Sequence, residues 1–294
     1  MLKTRATFWN DRSGVTVKRS ELLTRTLSAA VLIPAVIALD WLGGVWFNLF
    51  VTLLAVLLAV EWDKLIDTGA GGDRGVRRIG FGLAAVCAFS TAYVGLSYDR
   101  TGGPPDLVLL ASLIVAGAAL VWIEQKIRRR ARPLLRAAGV FYICIPSAAF
   151  IAIRSAGEGE FWILWLFVVI WSTDIGAYAA GRTLGGPKLA PAISPNKTWS
   201  GAIGGVLAAI ILSAPLSIFL KDLDLNVAIF LALGLSVVSQ IGDLVESGLK
   251  RRLGVKDSGS IIPGHGGLFD RLDGLLFAAP VALCAQLIIF SMTV

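Results

Sequence analysis

Nine long apolar runs leave this chain few ways to fold. They fall at roughly 24–42, 43–60, 79–97, 106–123, 137–154, 160–181, 200–219, 226–246 and 274–293. A helix that crosses the hydrocarbon core of a bilayer needs about 20 mostly apolar residues. In lipid the backbone must satisfy its own hydrogen bonds, so only helices and closed barrels span. Barrel strands alternate polarity over about 10 residues, and no run here alternates in that way. The chain is 56% hydrophobic and only 16% charged over 294 residues, against about 25% charged for a soluble domain. The reading is an all-α polytopic membrane protein of about nine transmembrane helices. Gly43 and Gly44 alone separate the first two runs, which predicts a tight helical hairpin. Pro34 and Pro146 predict kinks.

Lysine and arginine placement sets the orientation. With the N-terminus in the cytoplasm, the inner segments hold 24 of the 27 basic residues, leaving only Arg100, Arg154 and Lys221 outside. An odd number of spans then puts the C-terminus outside. The net charge of +7 belongs to inner loops facing anionic headgroups, and no nucleic-acid motif accompanies it. GluGlnLys and the arginines of Glu124–Arg136 read as such a basic loop. Cys87, Cys144 and Cys284 lie within apolar runs without metal-ligand spacing and read as small core residues. Residues 1–20 read as a cytoplasmic extension, without the cleavage pattern of a secretory signal. Residues 21–155 form a five-helix half with chemically plain connections, and residues 156–294 form a four-helix half with almost all of the reactive groups.

Four stretches of that second half carry chemistry. In IGDLVESGLKRR, Asp243, Ser247 and Lys250 fall at i, i+4 and i+7, on one face of a helix, with Glu246 beside them. An acid, a hydroxyl and an amine in a line suit a metal-bound polyphosphate; an interfacial charge pair is the plainer alternative. In KDSGSIIPGHGGLFDRLDG, Gly264, Gly266 and Gly267 surround His265, the sole histidine. Glycine lets a backbone approach phosphate closely, and the imidazole can bond phosphate or move a proton. Asp270 and Asp273 follow at i and i+3 around Arg271. They suit a divalent cation bound through oxygen, as magnesium prefers; helix capping is the alternative.

The third stretch, WSTDIGAYAAGR, places Asp174 deepest in the membrane, where an ionisable residue has a function by default. In the fourth, ISPNKTWSGAIGG, Ser194-Pro195-Asn196 reads as a turn. Lys197, Thr198 and Ser200 precede a helix whose N-terminus suits an anion, and Gly201, Gly204 and Gly205 permit close helix packing. Together these residues suit metal-dependent phosphoryl or nucleotidyl transfer on a lipid headgroup at the inner face.

The order Ser247-Gly-Leu-Lys250-Arg251, Lys256-Asp257-Ser258-Gly259, Pro263-Gly264-His265-Gly266-Gly267, Asp270-Arg271-Leu-Asp273 closely resembles the signature of the phosphatidate cytidylyltransferases. ISPNKTWSG resembles that family's upstream segment, with Asn196 and Ser200 where Lys and Glu are often found. The resemblance is firm over residues 170–280 and looser over the rest of the chain, and it does not cover residues 1–20. It implies that CTP and phosphatidic acid give CDP-diacylglycerol and pyrophosphate. It also implies Asp243 and Asp270 as metal ligands, with Asp273 supporting, and magnesium with a second, monovalent cation such as potassium. Lys250, Lys256 and Arg271 would hold phosphates, with Ser247 and His265 positioning them. Asp174, Ser194, Lys197, Thr198, Arg251, Asp257, Gly264, Gly266 and Gly267 would line the substrate site. A homodimer is expected on the same basis; the basic inner loops put the active site on the cytoplasmic side, and compactness without an organelle-targeting pattern points to a bacterial inner membrane.

Two rivals fit less well. A secondary transporter needs a midplane site and repeat symmetry, whereas the reactive residues here crowd one face. A CDP-alcohol phosphotransferase needs an Ala-Arg pair and later acids after its opening Asp-x2-Asp-Gly. Here Asp273-Gly274 is followed by Leu275-Leu-Phe-Ala-Ala-Pro.

Overall fold

The computed structural model of the protein describes residues 30–68, 81–101, 103–221, 223–259 and 266–293. The extension expected at 1–20, Gly264 and His265 lie outside the described residues. Within the described residues, each apolar run is represented by a helix. These are α1 (Ala30–Leu42), α2 (Gly44–Thr68), α3 (Phe81–Thr101), α4 (Leu107–Ile127), α5 (Pro133–Ser155), α6 (Gly159–Leu184), α7 (Trp199–Ser213), α8 (Leu225–Arg252) and α9 (Phe269–Thr293). A 3-10 segment, Ala214–Phe219, prolongs α7. Among the described residues, seven helices are long and apolar enough to cross a membrane: α2, α4, α5, α6, α7 with its extension, α8 and α9. The protein is an integral membrane protein built from helices.

Local chemistry sets several boundaries. The break between α1 and α2 falls at Gly43, where Gly43 and Gly44 have φ of 60° and 47°, a region that costs a side chain energy but not glycine. Asp106 caps α4, its Oδ1 accepting from the N–H groups of Val108 at 2.8 Å and Leu109 at 3.0 Å. Pro133 opens α5, where its fixed φ and missing N–H suit a first turn.

The inner ends differ from the apolar runs in a way that matters for the site. α2 continues to Thr68, α6 to Leu184 and α8 to Arg252, and α9 already begins at Phe269. Hydropathy marks where the lipid ends, whereas backbone hydrogen bonding carries the helices further. Asp243, Glu246, Ser247, Lys250, Asp270, Arg271 and Asp273 therefore all stand on helix.

Two expectations are corrected. Ser194-Pro195-Asn196 is strand rather than turn: Ser194–Thr198 (β2) pairs antiparallel with Lys188–Ala190 (β1). The reversal lies just before it, where Ile193 N–H donates to Ala190 O at 3.1 Å. Cys284 is exposed on α9, while Cys87 and Cys144 are buried with their sulfurs 3.5 Å apart.

The α6–α7 contact is made by small residues, as expected of Gly201 and Gly205. A Cβ at Gly201 would lie 2.9 Å from Ala177 O, and one at Gly205 2.9 Å from Thr173 O. Trp62, Tyr142 and Phe269 form an aromatic cluster joining α2, α5 and α9, with centroids 5.3–5.7 Å apart. At the end of α2, Asp63 and Asp67 pair with Arg136, and Asp63 also pairs with Arg130 at 2.9 Å. Two arginines of the expected basic loop thus tie α2 to the α4–α5 connection, through Arg130, and to the first turn of α5, through Arg136.

Candidate active site

The four stretches converge where α6, α8, α9 and the β-hairpin meet. Thr198 ends β2 and caps α7, its Oγ1 accepting from Gly201 N–H at 3.1 Å. This cap fixes Lys197, one residue earlier, so that its ammonium pairs with Asp243 on α8. One turn along α8, Ser247 Oγ donates to Asp243 Oδ1 at 3.2 Å. The i, i+4 relation read from sequence is thus a hydrogen bond.

Lys250 completes that face and reaches α9. Its Nζ donates to Asp270 Oδ1 at 2.6 Å and lies 3.3 Å from Glu246 Oε1. Asp270 Oδ2 accepts from Gly267 N–H at 3.1 Å and Ser258 N–H at 3.2 Å. Asp270 therefore holds together α8, the start of α9 and both sides of the connection between them. Gly266, with φ of 83°, makes the turn that brings the Gly267 N–H to it.

Asp273 lies one turn further along α9, accepting from its own Gly274 N–H at 2.7 Å. It interacts with Glu246 and is within electrostatic reach of Asp243 and Asp174. Asp174 on α6 in turn feels Asp243, Lys197 and Arg271. Five carboxylates and three cationic side chains from three helices and a hairpin thus form one electrostatic cluster.

Other expected residues stand at its edge. Arg251 Nε donates to Ile193 O at 3.3 Å and ties α8 to the hairpin that begins β2 at Ser194. Lys256 and Asp257 are exposed just before Ser258.

The sequence places Glu246 beside this face without assigning it a role, and gives no sign of Glu61. Glu246 is 2% exposed, and its carboxylate faces Lys250 at 3.3 Å and Asp273. Its signal was present, since an acid one helical turn from both Asp243 and Lys250 shares their neighbourhood. Glu61 is 1% exposed on α2 and accepts from Ser258 Oγ and Phe269 N–H. Its position at the edge of an apolar run concealed it among loop charges.

The donor set has the chemistry a hard divalent cation selects, carboxylate oxygen. Among the described residues no three acids already stand at metal-holding spacing. The ammonium groups of Lys197 and Lys250 instead provide positive charge at Asp243 and Asp270.

An apolar cavity of about 300 Å3 adjoins the cluster. Val36, Phe50, Phe167, Trp171 and Leu272 contribute to its walls, and Arg271 is its charged lining residue. Arg271 sits between Asp270 and Asp273 in the chain, so a single turn of α9 separates lipid-like surroundings from the charged cluster.

Comparison with known proteins agrees with this chemistry. The cytidylyltransferase family model matches residues 23–289. A phosphatidate cytidylyltransferase of Brucella suis biovar 1 is 43% identical over 264 residues, covering 88% of this chain and 91% of that protein. One of Staphylococcus aureus strain COL is 33% identical over 265 residues, covering 87% and 96%. One of Staphylococcus saprophyticus is 45% identical over 148 residues, covering 47% and 56%. With the family match running through both the membrane helices and the charged cluster, the chain belongs to the cytidylyltransferase family.

Proposed function

We propose that this enzyme transfers CMP from CTP to phosphatidic acid, giving CDP-diacylglycerol and pyrophosphate. The observation that carries the reading is Arg271, which lines an apolar cavity from the same helical turn that holds Asp270 and Asp273. A substrate with acyl chains and a phosphate headgroup matches both environments. The names of the relatives support the same substrates.

In this reaction an oxygen of the phosphatidate phosphate attacks the α-phosphorus of CTP. The new P–O bond forms as the bond to the β-phosphate bridging oxygen breaks, and pyrophosphate leaves with that electron pair. A phosphate oxygen is already anionic at neutral pH, so no strong general base is required. Lys250, Lys197, Lys256 and Arg271 supply positive charge where the transferring and leaving phosphates develop negative charge, which is the larger part of catalysis in such transfers. Ser247 and His265 are assigned to orienting the phosphates, and Gly264, Gly266 and Gly267 to the substrate site, as glycines that permit close approach of backbone to phosphate. Ser194, Thr198, Arg251 and Asp257 border the nucleotide side, with Asp174 behind Lys197.

Magnesium held by Asp243, Asp270 and Asp273 would neutralise charge on the phosphate oxygens, and potassium is the second cation of the proposal. All nine helices span in this reading, with the N-terminus and active site cytoplasmic and the C-terminus outside a bacterial inner membrane. Residues 21–155 and 156–294 are its two halves, and two copies form a homodimer.

The test is cytidylyl transfer by the detergent-purified protein, supplied with labelled CTP, magnesium and phosphatidic acid. Magnesium-dependent labelling of the lipid phase is expected. No labelling by folded protein across several phosphatidic acids would overturn the reading.

A further inference from the structure

Glu61 is the most deeply enclosed acid near the cluster, yet it belongs to α2, far from the signature residues in sequence. Its side chain is not an isolated charge. Oε1 accepts from Ser258 Oγ at 3.2 Å, and Oε2 accepts from Phe269 N–H at 2.9 Å. Phe269 is the first residue of α9, and the first N–H groups of a helix have no partner within it. Such a group is ordinarily capped by a side chain just ahead of it in sequence. Here the cap is supplied by another helix, 208 positions away in the chain.

The two donors lie at opposite ends of the connection that enters α9. Ser258 is also the residue whose N–H donates to Asp270 at 3.2 Å. The carboxylates of Glu61 and Asp270 thus hold Ser258 from two sides, one through its hydroxyl and one through its backbone. Two glycines of the connection fit this contact. A Cβ at Gly259 would lie 2.9 Å from Glu61 Cδ, and one at Gly267 would lie 2.8 Å from Gly259 N. Their lack of a side chain lets the backbone close around the carboxylate. Beside it, the Trp62 and Phe269 rings lie 5.6 Å apart by centroid.

We propose that Glu61 is a positioning residue for the transfer reaction: its carboxylate caps α9 and anchors Ser258, thereby fixing Asp270 toward Lys250. The catalytic consequence rests on the function proposed above; the anchoring does not. Removing the anchor frees the start of α9 to shift, so the reacting groups lose alignment while substrate binding surfaces remain. Misalignment of that kind lowers kcat more than it raises KM.

The experiment compares the full-length protein with Glu61→Gln, Glu61→Ala and Ser258→Ala in detergent. Glutamine keeps one acceptor oxygen, alanine keeps none, and Ser258→Ala removes one donor while leaving Phe269 N–H its acceptor. Hydrogen exchange is followed across residues 256–272, together with kcat and KM for CTP and lipid. Exchange at the start of α9 should accelerate in the order Ser258→Ala, Glu61→Gln, Glu61→Ala, with α4 unchanged. The kcat of folded Glu61→Gln should fall about tenfold or more with KM changed less than about threefold. Unaltered exchange in Glu61→Gln and Ser258→Ala would overturn the anchoring. Accelerated exchange with parental kcat would overturn the positioning role. If Glu61→Ala does not fold, the other two variants decide. A parent that transfers no cytidylyl group would defeat the proposed function, and the exchange data would still decide the anchor.

Discussion

Lys250 on α8 and Asp270 on α9 meet at 2.6 Å with only 13% of each side chain exposed. They join the helix that carries Asp243 and Ser247 to the helix that carries Arg271 and Asp273. Glu246 lies on the other side of the same ammonium at 3.3 Å. Removing Lys250 would leave two enclosed carboxylates without their cation. Breaking a buried pair from one side costs about 3–5 kcal/mol. Lys250→Met should therefore lower the thermal unfolding midpoint in detergent as well as transfer. Asp270→Asn should reduce kcat by on the order of 100-fold, the scale of losing one group aimed at developing charge. A midpoint unchanged in Lys250→Met would contradict the enclosed pairing.

Lys197 and Asp243 connect the hairpin to α8. A double-mutant cycle separates their structural link from their chemistry. Lys197→Gln and Asp243→Asn should each destabilise the protein, and the double variant should lose less than the two combined. A coupling of about 0.5–3 kcal/mol is expected for groups in one network. Transfer should remain low in the double variant, because its charges are gone. Strictly additive stability changes would count against the pair.

The apolar cavity gives a prediction about the lipid. Val36 is half-buried and lines it. Val36→Trp should fill part of the space and raise KM for long-chain phosphatidate about tenfold more than for a short-chain form. Trp171→Ala should relax the same preference. Parallel changes for both chain lengths would place the acyl chains elsewhere.

Orientation is open to labelling. Lys188 on β1 and Lys221 before α8 are both exposed. Cysteines introduced singly at these positions, in a Cys284→Ser background that keeps only the buried Cys87 and Cys144, should react with a membrane-impermeant maleimide from opposite sides. Position 188 is expected to label in inverted vesicles and position 221 in right-side-out vesicles. Labelling of both from one side would reverse part of the topology.

A run of apolar residues long enough to cross a bilayer has few alternatives to helix, since lipid offers the backbone no hydrogen bonds. The helical architecture, the Asp243–Ser247–Lys250 face and the close α6–α7 glycines were legible for that reason: each depends on spacing within one segment. Pairings between segments were not. Nothing near Lys197 indicates that Asp243, 46 positions away, will meet its ammonium. Nor does the strand formed by Ser194-Pro195-Asn196 follow from its turn-like composition, because pairing with Lys188–Ala190 overrides it. Glu61 is the clearest case. By sequence it is one charge at the end of an oily run, and only packing of α2 against α9 brings it to Ser258 and Phe269. Sequence by itself determined the helices and the chemical types at the inner face. Tertiary structure decided which acid meets which donor, because burial makes a charge seek whichever partner the packing of distant helices supplies.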